Sequence, residues 1–256
     1  MPVFVSFVLN SSINSLKTPD LLKTWGLKSH ANCFLCDSTQ CTQHHILAHC
    51  KTALKEHRYT WRHDSVLTQI ENRLQDHLKN RSNSGPALKT RPWPLLMKNF
   101  TRELPKDCMV LEPKKNLRLN QPKVKSLLSG TKDWKMLVDY TDNPSVFPPN
   151  IVPSAKRPDI TIWSPSLRKV IMIELTCPAE EGIDNAHQRK MARYQDLRRR
   201  VKDAEWTPIL RTIEVGARGY IAKNVHHCLR SFGFNYRDST SPSNQLSNTV
   251  VRSPLL

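Results

Sequence analysis

Residues 159–176 read DITIWSPSLRKVIMIELT, and this stretch decides the fold class. Its first five residues alternate between polar and apolar side chains, which predicts a half-buried strand. Ser164-Pro165-Ser166 has the composition of a turn. The following run, 169–176, is almost continuously apolar, as expected for a central strand that is covered on both faces. The stretch therefore predicts two antiparallel strands joined by a short turn.

Helical patterns flank this predicted hairpin. After it, Asp184 or Asn185 can cap a long helix that we expect to reach about residue 204. Before it, apolar residues between 51 and 78 recur at helical steps. The other predicted elements are strands at 134–140 and 209–215 and a last helix at 221–232. We therefore expect an α/β fold with a central sheet flanked by helices.

Changes in composition divide the chain into five parts. Polar, Pro- and Gly-containing segments mark the boundaries, as is typical of linkers. The predicted parts are a lead-in at 1–29, a small module at 30–80, a linker at 81–100, the α/β domain at 101–236 and a Ser/Asn/Pro-rich, disordered tail at 237–256.

The chain is strongly basic, with 39 Lys and Arg against 22 Asp and Glu and a formal net charge of +17. Such an excess predicts binding to a polyanion, most often nucleic acid. Neither a G-x-G-x-x-G nor a G-x-x-x-x-G-K-[ST] motif occurs, which excludes the common dinucleotide and P-loop sites, and we expect no small-molecule cofactor. No apolar stretch approaches the ~18 residues of a membrane span, and segment 1–9 lacks the basic start of a signal peptide.

Four of the seven cysteines fall between Cys33 and Cys50, together with three histidines. In a chain without a signal peptide, such a cluster indicates structural zinc rather than disulfides. The ligands that we predict have the spacing C-x2-C-x8-H-x4-C and are Cys33, Cys36, His45 and Cys50. Three further residues could displace one of them: Cys41, His44 and His49. The isolated Cys108, Cys177 and Cys228 are expected to be buried thiols.

Asp159 opens one predicted strand and Glu174 lies near the end of the next. Antiparallel pairing would bring the two carboxylates side by side at one edge of the sheet. Paired carboxylates there can hold Mg²⁺, which can activate a water for attack on a phosphodiester. The alternative interpretation is structural: Asp159 would cap a turn and Glu174 would be a charge at a strand end.

Lys190 is the third candidate of this centre. It occupies a position on the apolar stripe of the helix after the hairpin, where a lysine is costly without an anionic partner. The two carboxylates would be that partner, and Lys190 could then orient or deprotonate the attacking water, or bind the phosphate. Alternatively, Lys190 snorkels past the core.

Basic residues near this centre are candidates for nucleic-acid contacts. Those that we predict are Arg157, Arg189, Arg193, Arg200 and Arg218. The alternative is a solvated helix face, and for Arg218, beside two glycines, pairing with a carboxylate. Arg62-His63-Asp64 is a second candidate contact. Trp61 is expected to anchor the core, and the alternative is a platform on which a base stacks.

Several motifs occur in the order of a known family. They are His45-Ile-Leu-x-x-Cys50, then 59–66 (YTWRHDSV), 147–151 (FPPNI), Arg157-Pro158-Asp159, 173–181 (IELTCPAEE), Arg189-Lys190-x-x-x-Tyr194-x-x-Leu197 and 213–220 (IEVGARGY). Over roughly 20–235, the chain resembles the C-terminal region of non-LTR retrotransposon polyproteins that carry a restriction-like endonuclease.

This resemblance implies a CCHC zinc knuckle followed by a PD-(D/E)XK nuclease domain, a mixed central sheet flanked by helices, whose lysine has moved from the strand to a helix. Thr176 stands where the strand lysine would be. The resemblance implies Asp159, Glu174 and Lys190 as the active site. Glu180 or Glu181 could add a contact to the metal or to one of its ligands. The resemblance favours His45 over His44, because the knuckle histidine of the family precedes Ile-Leu.

The resemblance also implies a function: nicking of target DNA in the nucleus, after which the free 3′ end primes reverse transcription. The implied cofactors are structural Zn²⁺ and catalytic Mg²⁺, and the implied partners are DNA, with RNA as a second candidate, and a reverse transcriptase. No reverse transcriptase segment or Y-x-D-D motif is present, so we expect a fragment, a domesticated gene or a truncated gene model. The rival functions are an inactive nucleic-acid-binding module and a non-functional remnant.

Overall fold

The computed structural model describes residues 2–83, 126–234, 246–247 and 249–250. Its centre is a mixed sheet of four strands in the order β1-β2-β3-β4, flanked by helices. The strands are β1 (Lys135–Val138), β2 (Ile160–Ser164), β3 (Lys169–Thr176) and β4 (Thr207–Glu214). The α/β class expected from the sequence is therefore confirmed.

Strands β2 and β3 form the predicted antiparallel hairpin, with Ile160 opposite Ile173. Strand β4 pairs with β3 in parallel, so that Glu174 lies beside Thr212. These two registers place Asp159, which directly precedes β2, next to the carboxyl end of β3. The site described below lies at this edge of the sheet.

Seven α-helices lie in the described ranges up to residue 234. They are α1 (Pro2–Ser12), α2 (Pro19–Thr24), α3 (Lys51–Lys55), α4 (Arg58–Asn83), α5 (Ile183–Arg193), α6 (Gln195–Asp203) and α7 (Lys223–Ser231). The single long helix expected to end near 204 is therefore two helices. The interruption lies at Tyr194, whose fully buried side chain donates a hydrogen bond to the carbonyl of Arg157 at 2.9 Å.

The two faces of β3 are covered by different layers. Ile171, Ile173 and Leu175 pack against α4 and α7, while Val170 and Met172 pack against α6. Side chains alternate along a strand, so Glu174 continues the row of Val170 and Met172. The continuous apolar run predicted a strand buried on both faces, and the structure shows one.

Helix α4 belongs to the core of the sheet, whereas the sequence predicts that most of it is part of a separate module at 30–80. Its apolar face buries Val66, Leu67, Ile70 and Leu74 against the strands. A face of this length needs a larger apolar partner than the small Cys/His module can provide. The predicted linker, 81–100, lies mostly outside the described residues, as does the start of the 101–236 domain.

Other parts of the chain differ from the expectations in detail. Trp61 is 47% exposed and does not anchor the core, whereas its neighbour Arg62 is buried. Most of the predicted tail, 237–256, lies outside the described residues, but Leu246 and Val250 are helical and buried in the core.

Cys228 is buried and Cys177 is partly buried, while Cys108 lies outside the described residues. Within the described ranges, no helix combines the length and the apolar character that crossing a bilayer requires.

Candidate functional site

The four predicted zinc ligands converge. The ligand atoms of Cys33, Cys36, His45 and Cys50 all lie within 4.8 Å of one another. Cys33 Sγ is 4.0 Å from Cys50 Sγ, and Cys36 Sγ is 3.3 Å from His45 Nε2. Tetrahedral bonds of ~2.3 Å to sulfur and ~2.0 Å to nitrogen require ligand separations of about 3.5–3.8 Å. The four residues therefore form a candidate zinc-binding site.

The three alternative ligands, Cys41, His44 and His49, are not part of the group of four, although Cys41 packs against Cys33 and Cys50. The rings of His44 and His49 stack on each other, with centroids 4.2 Å apart. Burial raises the pKa of the Cys41 thiol to about 12. For Cys33, burial also opposes ionisation, but the backbone N–H groups of Leu35 and Cys36 outweigh it and lower the pKa to about 6. A lowered pKa favours the thiolate, which is the form that binds zinc.

Helix α4 contacts the segment 33–50, which carries the four candidate zinc ligands and is called the zinc loop below. The Tyr59 hydroxyl accepts a hydrogen bond from the backbone N–H of Cys50 at 3.0 Å and donates one to the carbonyl of Ile46 at 3.0 Å. One turn further, the buried Arg62 donates through Nη1 to the carbonyl of Leu47 at 2.9 Å. The start of α4 therefore connects the Cys/His cluster to the sheet.

Asp159 and Glu174 meet at the edge of the sheet, as the hairpin register requires. The Oδ2 atom of Asp159 accepts a hydrogen bond from the backbone N–H of Leu175 at 2.6 Å. The side chain of Glu174 is fully buried, and that of Asp159 is 13% exposed. Two carboxylates buried this closely repel each other unless cations offset their charge.

Lys190 supplies one such cation from α5. Its ammonium group donates a hydrogen bond to Glu174 Oε2 and lies 3.8 Å from Asp159 Oδ2. The structure thus brings together the three residues that the sequence singled out, each from a different element. The lysine reaches the carboxylates from the helix, while Thr176 occupies the strand position two residues after Glu174.

His63 is a fourth member of this centre, and the sequence did not identify it as such. Its Nε2 lies 3.6 Å from Asp159 Oδ2, and its Nδ1 lies 2.9 Å from Asp64 Oδ1. Burial lowers the pKa of His63, but the nearby carboxylates of Asp159 and Asp64 outweigh burial and raise it to about 9. The sequence signal was a His-Asp pair two residues before the core residues Val66 and Leu67 on the same helix.

The two carboxylates of the centre differ in acidity. Burial opposes ionisation of Asp159, but His63, Lys190 and the N–H of Leu175 hold its pKa below the ordinary value. Burial and the charge of Asp159 raise the pKa of Glu174, although Lys190 counteracts them. The surroundings therefore favour the ionised form of Asp159 and oppose ionisation of Glu174.

Each carboxylate keeps one oxygen apart from the protein contacts. Within the described ranges, all the polar contacts of the Asp159 side chain fall on Oδ2. Similarly, Lys190 binds Glu174 Oε2, whereas the buried Oε1 has no hydrogen-bond partner there. The buried hydroxyl oxygen of Thr176 also lacks a partner among those residues. An unpartnered buried acceptor is costly, and it suits a ligand that brings positive charge or donors.

Most of the predicted arginines lie on the surface. Arg189 and Arg193 are exposed on α5, one turn apart, and Arg200 is exposed on α6, where it donates to the carbonyl of Pro153. Arg157 pairs with Asp139 at 3.0 Å and is 44% exposed. Arg189 also lines a cleft of about 790 Å³ between the zinc loop and the residues that follow β3.

Arg218 is held by carboxylates, in agreement with the alternative interpretation of its sequence. Its guanidinium pairs with Glu180 at 2.7 Å and with Glu181 at 2.6 Å, and it donates to the carbonyl of Ser11 at 3.2 Å. A Cβ atom at Gly216 would lie 2.4 Å from Glu180 Oε1, so this glycine makes room for the pair. These contacts tie α1 to the loop after β4, and they engage Glu180 and Glu181 with Arg218.

Comparison with known proteins gave no match, either to a protein-family model or to a curated protein.

Proposed function

We propose that this protein is a metal-dependent DNA endonuclease that nicks a phosphodiester bond. The observation that carries the proposal is the convergence of Asp159, Glu174 and Lys190 from three elements of the fold. A pair of carboxylates and a lysine at the edge of a mixed sheet is the arrangement of a PD-(D/E)XK nuclease. Here the lysine comes from α5 instead of the strand.

The carboxylate centre has the features of a Mg²⁺ site. Asp159 and Glu174 would be the protein ligands, because each has one oxygen that the protein does not engage. Mg²⁺ prefers such hard oxygen ligands and keeps several waters. When bound, the ion supplies activation of a water and stabilisation of charge on the scissile phosphate.

Lys190 and the surface arginines contribute positive charge. Lys190 is 21% exposed, so its ammonium group can reach a phosphate or the attacking water while it remains near Glu174. A fixed cation where negative charge develops stabilises the transition state. The net charge of +17 and the exposed Arg189 and Arg193 favour binding to the DNA backbone.

The order of the motifs supports a retrotransposon setting. The candidate zinc site, the carboxylate pair and the helix-borne lysine follow one another as in the restriction-like endonucleases of non-LTR retrotransposons. In that setting the nick would be made in the nucleus, on target DNA, and would prime reverse transcription by a polymerase. The zinc site has four protein ligands and would be structural.

Nicking of supercoiled plasmid tests the proposal. The wild-type protein should convert supercoiled to open-circular DNA in Mg²⁺ or Mn²⁺ but not in excess chelator, and Asp159→Ala should abolish the conversion. Glu205→Ala is a matched control, because Glu205 is an exposed carboxylate whose partner is Arg168. The absence of nicking by wild type in either metal would refute the endonuclease proposal.

The threonine at position 176 favours a second candidate, an inactive nucleic-acid-binding module. In this alternative, the carboxylate–lysine cluster serves stability only and the basic surface holds nucleic acid. Salt-dependent binding of DNA without cleavage in any divalent metal would support it. If DNA does not bind even at low salt, both candidates fail.

A further inference from the structure

Helix α4 reaches the carboxylate centre through one residue, His63. The imidazole lies between two acids, 2.9 Å from Asp64 on its own helix and 3.6 Å from Asp159 at the start of β2. Its side chain is 25% exposed, so it belongs to the wall of the site and not to the open surface.

We propose that His63 and Asp64 form a positioning pair that orients Asp159 for metal binding. This inference rests on the proposed endonuclease function. Asp64 holds Nδ1, which fixes the plane of the ring and directs Nε2 toward Asp159. In metal sites, a group that contacts a ligand commonly fixes the orientation of that ligand, and a carboxylate commonly fixes the orientation of a histidine ring.

Among the described residues, the polar contacts of the Asp159 side chain all involve one of its two carboxylate oxygens. Leu175 N–H, His63 Nε2 and Lys190 Nζ approach its Oδ2 atom from β3, α4 and α5 respectively. The hydrogen bond from Leu175 and the two nearby cations all favour Oδ2, so they hold the carboxylate in one orientation and leave Oδ1 available to a ligand. Without His63, α4 would no longer contribute a contact that restrains the Asp159 carboxylate.

The position of His63 is itself well determined. Tyr59 and Arg62, on the preceding turn, bind the backbone of the zinc loop, and Val66 and Leu67, on the following turn, are buried in the core. The ring is therefore carried by a helical turn that is held at both ends. This rigidity is what a positioning residue requires.

Variants of His63 test the inference, with single-turnover nicking measured over a range of Mg²⁺ concentrations. His63→Leu removes the polar contact and should raise the half-saturating Mg²⁺ concentration by about 10-fold or more, as is typical for residues that support a metal ligand. His63→Gln keeps a nitrogen near the position of Nε2 and should recover a substantial part of the loss. DNA affinity without metal should stay within about twofold, because both ring nitrogens of His63 face carboxylates and would not be available to a phosphate. Asn72→Ala, on an exposed part of α4, is the matched control.

Calorimetric titration of Mn²⁺ into wild type and His63→Leu gives a readout that does not depend on cleavage. Weaker Mn²⁺ binding by the variant supports the positioning role, even if wild type does not nick and the proposed function fails. Equal Mn²⁺ affinity and equal Mg²⁺ dependence in the two proteins would overturn the inference, as would the absence of Mn²⁺ binding to wild type. Should His63→Leu not fold, Asp64→Asn tests the same claim, with a smaller expected shift in the same direction.

Discussion

Tyr59 and Cys50 are joined by a hydrogen bond, in which the backbone N–H of the fourth candidate zinc ligand donates to the tyrosine hydroxyl at 3.0 Å. Tyr59→Phe removes this acceptor and leaves the N–H of Cys50 without its partner. We expect a loss of about 1–3 kcal/mol in the free energy of unfolding and faster release of zinc to a chromophoric chelator. Urea unfolding and the chelator assay measure the two effects. Trp61→Phe, at an exposed position of the same helix, should change neither.

The choice of histidine at the zinc site can be tested by metal content. His45→Ala should lose most of its zinc, because His45 Nε2 faces Cys36 Sγ. His44→Ala should retain about one zinc per chain, because the ring of His44 stacks on His49 instead. Atomic absorption on the purified variants decides between them, and the reverse pattern would show that the ligand assignment is wrong.

Two arginines that the sequence grouped together should behave differently. Arg189→Met should weaken DNA binding and lower the slope of log K against log salt by about 1, as for the loss of one phosphate contact. Arg218→Met should leave that slope unchanged, because Glu180 and Glu181 already neutralise its charge, but it should lower the thermal stability. Fluorescence anisotropy at several salt concentrations measures the slopes. An equal loss of slope in both variants would contradict this division.

Asp133 binds the turn between β2 and β3, and we expect this contact to make stability depend on pH. Hydrogen bonds from the hydroxyls of Ser164 and Thr131 and from the N–H of Ser166 hold the pKa of Asp133 well below its ordinary value of 3.8. A carboxyl whose pKa is lowered in the folded state stabilises the fold fully above its unfolded-state pKa. This contribution decreases as the pH falls below the unfolded-state pKa, and it is lost once the pH passes the folded-state pKa. Asp133→Asn should therefore be less stable than wild type from pH 7 to about 5, with a difference that narrows as the pH drops through 4.

Urea unfolding of Asp133→Asn and wild type at several pH values measures this difference. Asp203→Asn, an exposed aspartate at the end of α6, is the control and should show no such trend. A difference that stays constant down to pH 3.5 would mean that the hydrogen bonds do not depend on the charge of Asp133.

Local patterns were sufficient to predict the elements around the site. The alternation at 160–163 and the apolar run at 169–176 gave β2 and β3 nearly to the residue, because both patterns follow from burial within one hairpin. The register of that hairpin then determined that Asp159 and Glu174 meet. Lys190 could be predicted because it interrupts an apolar helix stripe, and such an interruption needs an anionic partner.

Contacts between distant segments could not be predicted in this way. His63 approaches Asp159 because α4 packs across the sheet. The periodicity of each segment predicts its own helix or strand but not which residues of the two segments come into contact. The polar linker after α4 suggested that the helix belongs to a separate module. A polar composition indicates that a segment is exposed to solvent, but it does not indicate against which element the preceding helix packs. Arg218 carries the same charge as Arg189, and only the folded structure shows that Glu180 and Glu181 engage it.

The central claim is that Asp159, Glu174 and Lys190 form a metal-dependent cleavage centre. The most direct test is the single-turnover rate of plasmid nicking in Mg²⁺ by Glu174→Gln, measured at saturating protein so that DNA binding is not limiting. This substitution removes the charge of the fully buried carboxylate and nearly preserves its shape. We predict a decrease of at least about 100-fold in the nicking rate, with unchanged DNA affinity. Nicking by Glu174→Gln at the wild-type rate would contradict the claim.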